Sequence, residues 1–207
     1  YALYGMTQEQ LAHTLMPLGG MAKDETRRLA TELGLAVASK PDSQDVCFVE
    51  GRNYPGFLSE NAPETVRPGP IMDTSGLTIG GHQGIAFYTV GQRRRIGIAS
   101  SRPLYVVRID AESNAVIVGS DSDLFSREFT ATDVNLICEE VLKWPIAVAA
   151  KVRYNMREEA GLLAPLASGE VRFTFDRPQR AITPGQAAVF YDGDCVVGGG
   201  TIEIVQG

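Results

Sequence analysis

Of the three cysteines in this chain, Cys47, Cys138 and Cys195, the first has the setting a reachable thiol needs. A polar stretch, Lys40-Pro41-Asp42-Ser43-Gln44-Asp45, runs straight into Val46-Cys47-Phe48-Val49. One end of that apolar run therefore lies at a surface or cleft, where a thiolate could act as a nucleophile. A second reading stays open beside it: free cysteine is among the most buried residue types, and with Val46, Phe48 and Val49 as neighbours Cys47 could be a small core residue. Cys138 and Cys195 sit within strand-like runs without a polar approach and are expected in the core.

The other chemically dense region is His82-Gln83-Gly84 followed by Thr89-Val90-Gly91-Gln92-Arg93-Arg94-Arg95. Backbone N–H groups, amide donors and guanidinium forks on such a segment suit phosphate oxygens. A glycine-rich connection with a solvated basic tip is the competing reading. The formal net charge of −6 and pI near 5.0 speak against nucleic acid only weakly. Net charge averages over surfaces that never touch a ligand, and a local arginine cluster can still attract phosphate.

Other chemistries find little support. Two histidines, His13 and His82, and three scattered cysteines show no paired metal-ligand spacing, so no metal site is expected. There is no Gly-x-Ser-x-Gly elbow, no Gly-x-x-x-x-Gly-Lys phosphate loop and no strand followed by Gly-x-Gly-x-x-Gly, so no cofactor-binding residues are expected. An odd cysteine count suits a reducing compartment, and no run of 18 apolar residues or secretory leader is visible. A cytoplasmic protein that crosses no membrane is expected.

The elements that must position these groups begin with helix. Leu11, Leu15 and Leu18 recur at helical spacing behind Thr7, a plausible N-cap, and a second helix has Asp24 and Glu25 in its first turn, Leu29 and Leu33 on its stripe and Gly34 to stop it. After Glu60 the chain turns strand-like. Ile71-Met72 and Leu77 to Ile79 flank Asp73-Thr74-Ser75-Gly76 as a hairpin, and residues 104–109 and 115–118 flank another. Beyond a boundary near residues 122–128, further short strands at 147–152, 170–175, 187–191, 196–197 and 201–205 predict a small antiparallel barrel. Gly198-Gly199-Gly200 reads as a bulge or barrel corner.

Taken together, these segments resemble the bacterial-type tRNA 2-thiouridylases. The resemblance rests on Tyr1 to Leu18, on Asp42-Ser43 with Val46-Cys47-Phe48, on Gly81-His82-Gln83-Gly84 through Gly91-Gln92-Arg93, and on Thr183-Pro184-Gly185-Gln186 through Gly198-Gly199-Gly200. It covers essentially the whole chain. It implies a mainly β protein: residues 1–60 as a helical remnant of an adenine-nucleotide α-hydrolase-like α/β catalytic domain, 61–124 as a small central β-rich domain, and 125–207 as a C-terminal antiparallel β-barrel that binds tRNA. The family's Ser-Gly-Gly-x-Asp-Ser phosphate loop is not found, so the N-terminal ATP-binding domain is expected to be missing from this chain, with ATP and Mg2+ bound by that missing domain and the isolated chain inactive.

The resemblance also implies the chemistry: ATP-dependent adenylation of O2 of wobble uridine 34, then sulfur delivery from a cysteine persulfide carried by Cys47. Closing a disulfide with a second cysteine would need Cα atoms within roughly 7 Å, so the Cys47 loop is expected to move. Arg153-Tyr154 and Gln186 match tRNA-contacting positions, and Arg93 and Arg94 are expected to add phosphate contacts. Arg94-Arg95 departs from the Lys-Gly often found there, which puts the local backbone in doubt. The implied partners are tRNA and a persulfide sulfur-carrier protein or cysteine desulfurase, and a monomer is expected. Two alternatives remain, a non-catalytic RNA-binding module and a tRNA methyltransferase.

Overall fold

The computed structural model describes residues 1–41, 54–63, 66–137, 142–166 and 169–206. Cys47 and Cys138 lie outside these described residues. Among the described residues, three short helices, α1 (Gln8–Ala12), α2 (Lys23–Glu32) and α3 (Tyr54–Asn61), precede ten strands. The chain is mainly β, with a four-stranded sheet followed by a closed barrel, in agreement with the fold class expected from sequence.

The Thr7 expectation holds in detail. Its hydroxyl accepts from the Gln10 N–H at 3.2 Å while the Gln10 side chain accepts from the Thr7 N–H at 2.9 Å, a reciprocal capping box. The helical stripe does not hold. α1 ends at Ala12, and Leu15 and Leu18 are 92% and 51% exposed. Pro17 supplies the reason, since it lacks the N–H a continuing helix needs and pushes the preceding residue out of helical geometry. α2 begins with Asp24 and Glu25 as expected and stops at Gly34, whose φ of +67° lets its N–H donate to the Thr31 carbonyl and that of Leu35 to Ala30.

The central sheet has the order β2-β1-β4-β3, built from β1 (Gly69–Asp73), β2 (Thr78–His82), β3 (Tyr105–Asp110) and β4 (Ala115–Gly119). Both expected hairpins are present, and β1 joins them by pairing parallel to β4. In the first, Asp73 accepts from the N–H groups of Ser75 and Leu77 and from the Ser75 hydroxyl, which holds its carboxyl below the usual range. All five residues of β4 are buried, as its unbroken apolar run requires of an inner strand, and Ile71, Val106, Val116 and Val118 form the sheet's core with Ile96.

A 3-10 turn at Asp121–Leu124 leads into the barrel, whose order around the ring is β10-β5-β8-β7-β6-β9. Its strands are β5 (Phe125–Leu136), β6 (Ile146–Lys151), β7 (Glu159–Pro165), β8 (Val171–Arg180), β9 (Ala187–Asp192) and β10 (Cys195–Gln206), all neighbours antiparallel. β5 and β7 have no counterpart among the sequence expectations. Along β8, buried Val171, Phe173 and Phe175 alternate with Arg172, Thr174 and Asp176, so one face fills the barrel. Phe173 lies 5.7 Å from Phe129, 4.7 Å from Phe175 and 5.7 Å from Phe190, ring centre to ring centre, and all four rings are fully buried. Each such burial contributes roughly 1.5–3 kcal/mol.

The glycine triplet does lie at bulges. Register shifts fall between Val196 and Gly198 against β9, and between Gly199 and Thr201 against β5. A Cβ on Gly199 would stand 2.4 Å from the Tyr4 ring and 2.6 Å from the Ala188 carbonyl oxygen. The bare backbone is thus a seat for Tyr4, and Asn135 fixes it by donating to the carbonyls of Tyr4 and Met6 at 2.6 and 3.0 Å. Gln8 also donates to the carbonyl of Ile137, so the first turns of the chain are moored on the barrel. Cys195 departs from its expected core position. It opens β10 directly after the turn from β9, and that place leaves it exposed despite Val196 and Val197 beside it.

Candidate functional site

Arg153 follows β6 and is half-buried, with its guanidinium turned into the protein. Its Nη2 donates to the carbonyl oxygen of Ala181 at 2.8 Å, to the Thr183 hydroxyl at 3.0 Å and to the carbonyl oxygen of Val90 at 3.3 Å. Ala181 and Thr183 belong to the loop that leaves β8, and Val90 belongs to the central sheet's long connection between β2 and β3. Ala181 has φ +56°, and its N–H donates to the Leu124 carbonyl at 2.7 Å. Val90, Leu124 and Ala181 are buried together against Tyr105, a small apolar cluster at the seam between sheet and barrel.

Tyr154 points the other way and is 71% exposed. Its ring meets that of Tyr1 edge-on at 5.8 Å, and the Tyr1 hydroxyl donates to the Ala187 carbonyl at 2.7 Å. Partial burial, with Tyr4 and Tyr191 nearby, pushes the Tyr1 phenol above its ordinary range, so it remains a neutral donor. Gln186, next to Ala187, is exposed; its N–H donates to the Thr183 carbonyl at 3.3 Å and its own carbonyl accepts from Ile202 at 2.9 Å. The loop 181–187 thus gathers Arg153, Tyr154 and Gln186, which sequence alone could group only by resemblance.

Arg93, Arg94 and Arg95 are exposed on the connection that also contains Val90. Gln92 braces them: its side-chain oxygen accepts from the Thr89 N–H at 3.1 Å and its amide donates to the Arg94 carbonyl at 2.9 Å. The backbone on either side is pinned to β3, with the Gly91 N–H donating to Val106 at 2.8 Å and the Val106 N–H to Gln92 at 2.9 Å. Arg95 has φ +62°, a left-handed conformation at the one position where resemblance favoured glycine. His82 is no part of this exposed surface. It is 4% exposed and donates from Nε2 to the Asn114 carbonyl at 3.0 Å, tying the two hairpins together.

Sequence reasoning placed Gln92 and Thr183 in motifs without finding the bonds by which they brace the site, and it missed Arg180. Arg180 ends β8 with two bonds to Asp121, at 3.1 and 3.0 Å, and lies 5.3 Å from the centre of the Tyr105 ring, so it too spans sheet and barrel. Its partner is 59 residues away, and nothing in the sequence announces the pairing. Beside this seam runs a cleft of about 710 Å3 whose walls include Val90, Arg108, Leu124, Thr183, Glu203 and Ile204.

The chain matches three family models in succession: the tRNA methyl transferase HUP domain over residues 1–51, the tRNA methyl transferase PRC-barrel domain over 56–120, and the aminomethyltransferase beta-barrel domain over 126–202. It is 53% identical over 203 residues to the tRNA-specific 2-thiouridylase MnmA of Acetivibrio thermocellus, covering 98% of this chain and 56% of that protein. Identity to the tRNA-specific 2-thiouridylase MnmA 1 of Thermoanaerobacter sp. is also 53%, with 98% and 56% covered. The tRNA-specific 2-thiouridylase MnmA of Moorella thermoacetica is 52% identical over 205 residues, 99% of this chain and 57% of that protein. The chain therefore spans a little over half the length of these relatives.

The HUP match overturns one expectation. Residues 1–51, Cys47 included, are HUP-domain sequence, so the ATP-binding domain is present in this chain and ATP and Mg2+ cannot be assigned to a domain missing from it. The phosphate loop is a short local signature, and its absence does not measure the rest of a domain. Within the described part of that match, the first turn of α2 carries Asp24 and Glu25, whose charge repels phosphate, so the start of this helix is not a phosphate seat. Among the described residues no helix is long and apolar enough to cross a membrane.

Proposed function

We propose that this chain belongs to the tRNA-specific 2-thiouridylase family and is part of a tRNA sulfurtransferase that replaces O2 of wobble uridine 34 by sulfur, with Cys47 as the persulfide carrier. ATP would supply the adenylate that makes O2 a leaving group. The terminal persulfide sulfur would then form the C2–S bond as the C2–O bond breaks and AMP leaves, and the thiolate of a second cysteine would attack Cys47 Sγ, breaking the S–S bond to release the 2-thiouridine and closing a disulfide on Cys47. A persulfide sulfur-carrier protein or cysteine desulfurase is the donor this chemistry requires.

The observation that carries the tRNA half of the proposal is the convergence of Tyr154, Gln186 and the Arg93–Arg94 loop around residues 181–187 and their common brace, Arg153. Exposed guanidinium groups meet phosphates, an exposed tyrosine stacks on an unpaired base, and an amide reads a 2′-hydroxyl or a base edge. Two of the matched family descriptions speak of a methyl transferase, but the curated relatives at 52–53% identity carry the 2-thiouridylase name, which favours sulfur transfer.

The test is the Cys47→Ser variant of the whole protein. It should still adenylate tRNA while 2-thiouridine falls to background. Thiolation at the wild-type rate would remove Cys47 from the mechanism, and methylated rather than thiolated uridine would favour the second reading.

A further inference from the structure

We propose that Arg153 is a positioning residue rather than a phosphate ligand: it latches the arginine-bearing connection of the central sheet to the loop leaving β8, so that Arg93, Arg94 and Gln186 meet RNA as one fixed surface. The inference rests on the RNA-binding reading above for its consequence, but not for its geometry.

The geometry is a matter of counting hydrogens. Nη2 of a guanidinium carries two, and here it faces three acceptors, the carbonyls of Ala181 and Val90 and the hydroxyl of Thr183. This nitrogen is saturated inside the protein, and a phosphate could reach it only by displacing bonds that join the barrel to the central sheet's connection, which leaves only the guanidinium's Nη1 and Nε hydrogens for any outside acceptor. Thr183 strengthens the arrangement by donating its own hydroxyl proton to the Ala181 carbonyl at 2.9 Å, so that carbonyl receives two donors. Ala181 presents it from a left-handed backbone conformation that a non-glycine residue adopts only when its surroundings impose it. The surroundings here are the Leu124 carbonyl on its N–H and the apolar contact with Val90 and Leu124.

The latch matters because of what Val90 leads into. Two residues on, Gln92 locks the connection from Thr89 to Arg94, and Gly91 is tied to Val106. The arginines are thus held on a frame whose attachment to the barrel passes through Arg153, with Arg180 and Asp121 as a second tie beside Tyr105. A pre-organised cationic surface binds more tightly than a mobile one of the same charge, because no ordering cost falls on binding.

Charge and position predict opposite salt behaviour, which makes the proposal testable in the whole chain with an unmodified tRNA transcript as probe. Arg153→Ala should weaken binding on the order of tenfold without changing the slope of log K against log salt. Arg93→Ala/Arg94→Ala should flatten that slope by roughly 0.7–0.9 for each phosphate that is no longer neutralised. Hydrogen exchange reads the latch without RNA: in Arg153→Ala the amides of Gly91 and Ala181 should exchange at least about tenfold faster while those of β8 stay protected. Thr183→Val, a milder change, should move exchange and affinity in the same direction by less, and it replaces Arg153→Ala should that variant fail to fold. A flattened salt slope with unchanged exchange in Arg153→Ala would overturn the proposal in favour of a direct phosphate contact. Unchanged exchange and affinity would overturn it outright. If the wild-type chain shows no salt-dependent binding, the RNA reading fails, while accelerated exchange at Gly91 and Ala181 would still establish the latch.

Discussion

Arg153 and Ala181 meet across 28 residues of sequence, a guanidinium nitrogen 2.8 Å from a carbonyl oxygen presented at a φ of +56°. The contact divides the Arg153-Tyr154 pair between two tasks. One side chain is built into the seam between sheet and barrel, and its neighbour stands 71% exposed beside Tyr1.

Arg95 offers the simplest test of stored backbone strain. A non-glycine residue at φ +62° costs roughly 1–2 kcal/mol, and glycine's greater freedom in the unfolded chain takes back about 0.4–1 kcal/mol. Arg95→Gly should therefore raise stability by up to about 1.5 kcal/mol, measured by chemical denaturation. A loss of stability would mean that the Arg95 side chain contributes more than its backbone costs.

Gly199 should tolerate no side chain. Because an added Cβ would press on the Tyr4 ring and on the backbone oxygen of Ala188, Gly199→Ala should destabilise the protein by about 1–3 kcal/mol. It should also release residues 1–8 from the barrel, exposing them to limited proteolysis. Digestion at the wild-type rate would show that Tyr4 finds another seat.

Cys195, exposed at the start of β10, should react with iodoacetamide in the folded protein. Cys195→Ala should alter stability by no more than about 0.5 kcal/mol, as for an ordinary surface residue. Mass spectrometry of the native protein showing Cys195 unmodified would contradict the exposure described above.

Asp123 ties the Asp121–Leu124 turn to β4 by accepting from the Ser120 hydroxyl at 2.6 Å and the Ser120 N–H at 2.7 Å, and these bonds hold its carboxyl below the ordinary value. A depressed carboxylate stabilises the fold above its unfolded pKa, near 3.9, and that contribution is lost as pH falls through the lower folded value. Between about pH 5 and pH 2 the wild type should lose more stability than Asp123→Asn. Parallel melting curves for the two proteins would rule out a role for this carboxylate.

The parts legible in the sequence are those whose signals are local. Thr7 announces a cap, Asp73 to Gly76 a turn, and the glycines at 198–200 a bulged strand. β5 is hidden because Arg127 and Glu128 interrupt its alternation, although Arg127 reaches the Phe175 and Asp176 carbonyls and Glu128 pairs with Arg172 on the neighbouring strand β8. β7 was hidden by Gly161, which reads as a breaker. A Cβ there would strike the Phe173 ring at 2.7 Å, so the missing side chain is a packing requirement of a neighbouring strand. In the site, only the resemblance pointed to Arg153 and Gln186, and the direction of the Arg153 side chain depends on Val90 and Ala181, 63 and 28 residues away.

The place of β10 in the barrel sets an order on synthesis. Of the six barrel strands β10 comes last in chain order, yet it pairs with both β5 and β9, so the ring stays open until residue 205 and its neighbours have left the ribosome. A nascent chain halted before that point presents two bare strand edges at once, each a template for another chain. Closure between Phe129 and Val205 must also wait for a large loop, which makes barrel formation slow beside that of the β3–β4 hairpin. The β-sheet upstream can form early, whereas the barrel is the step at which a chaperone would be needed most.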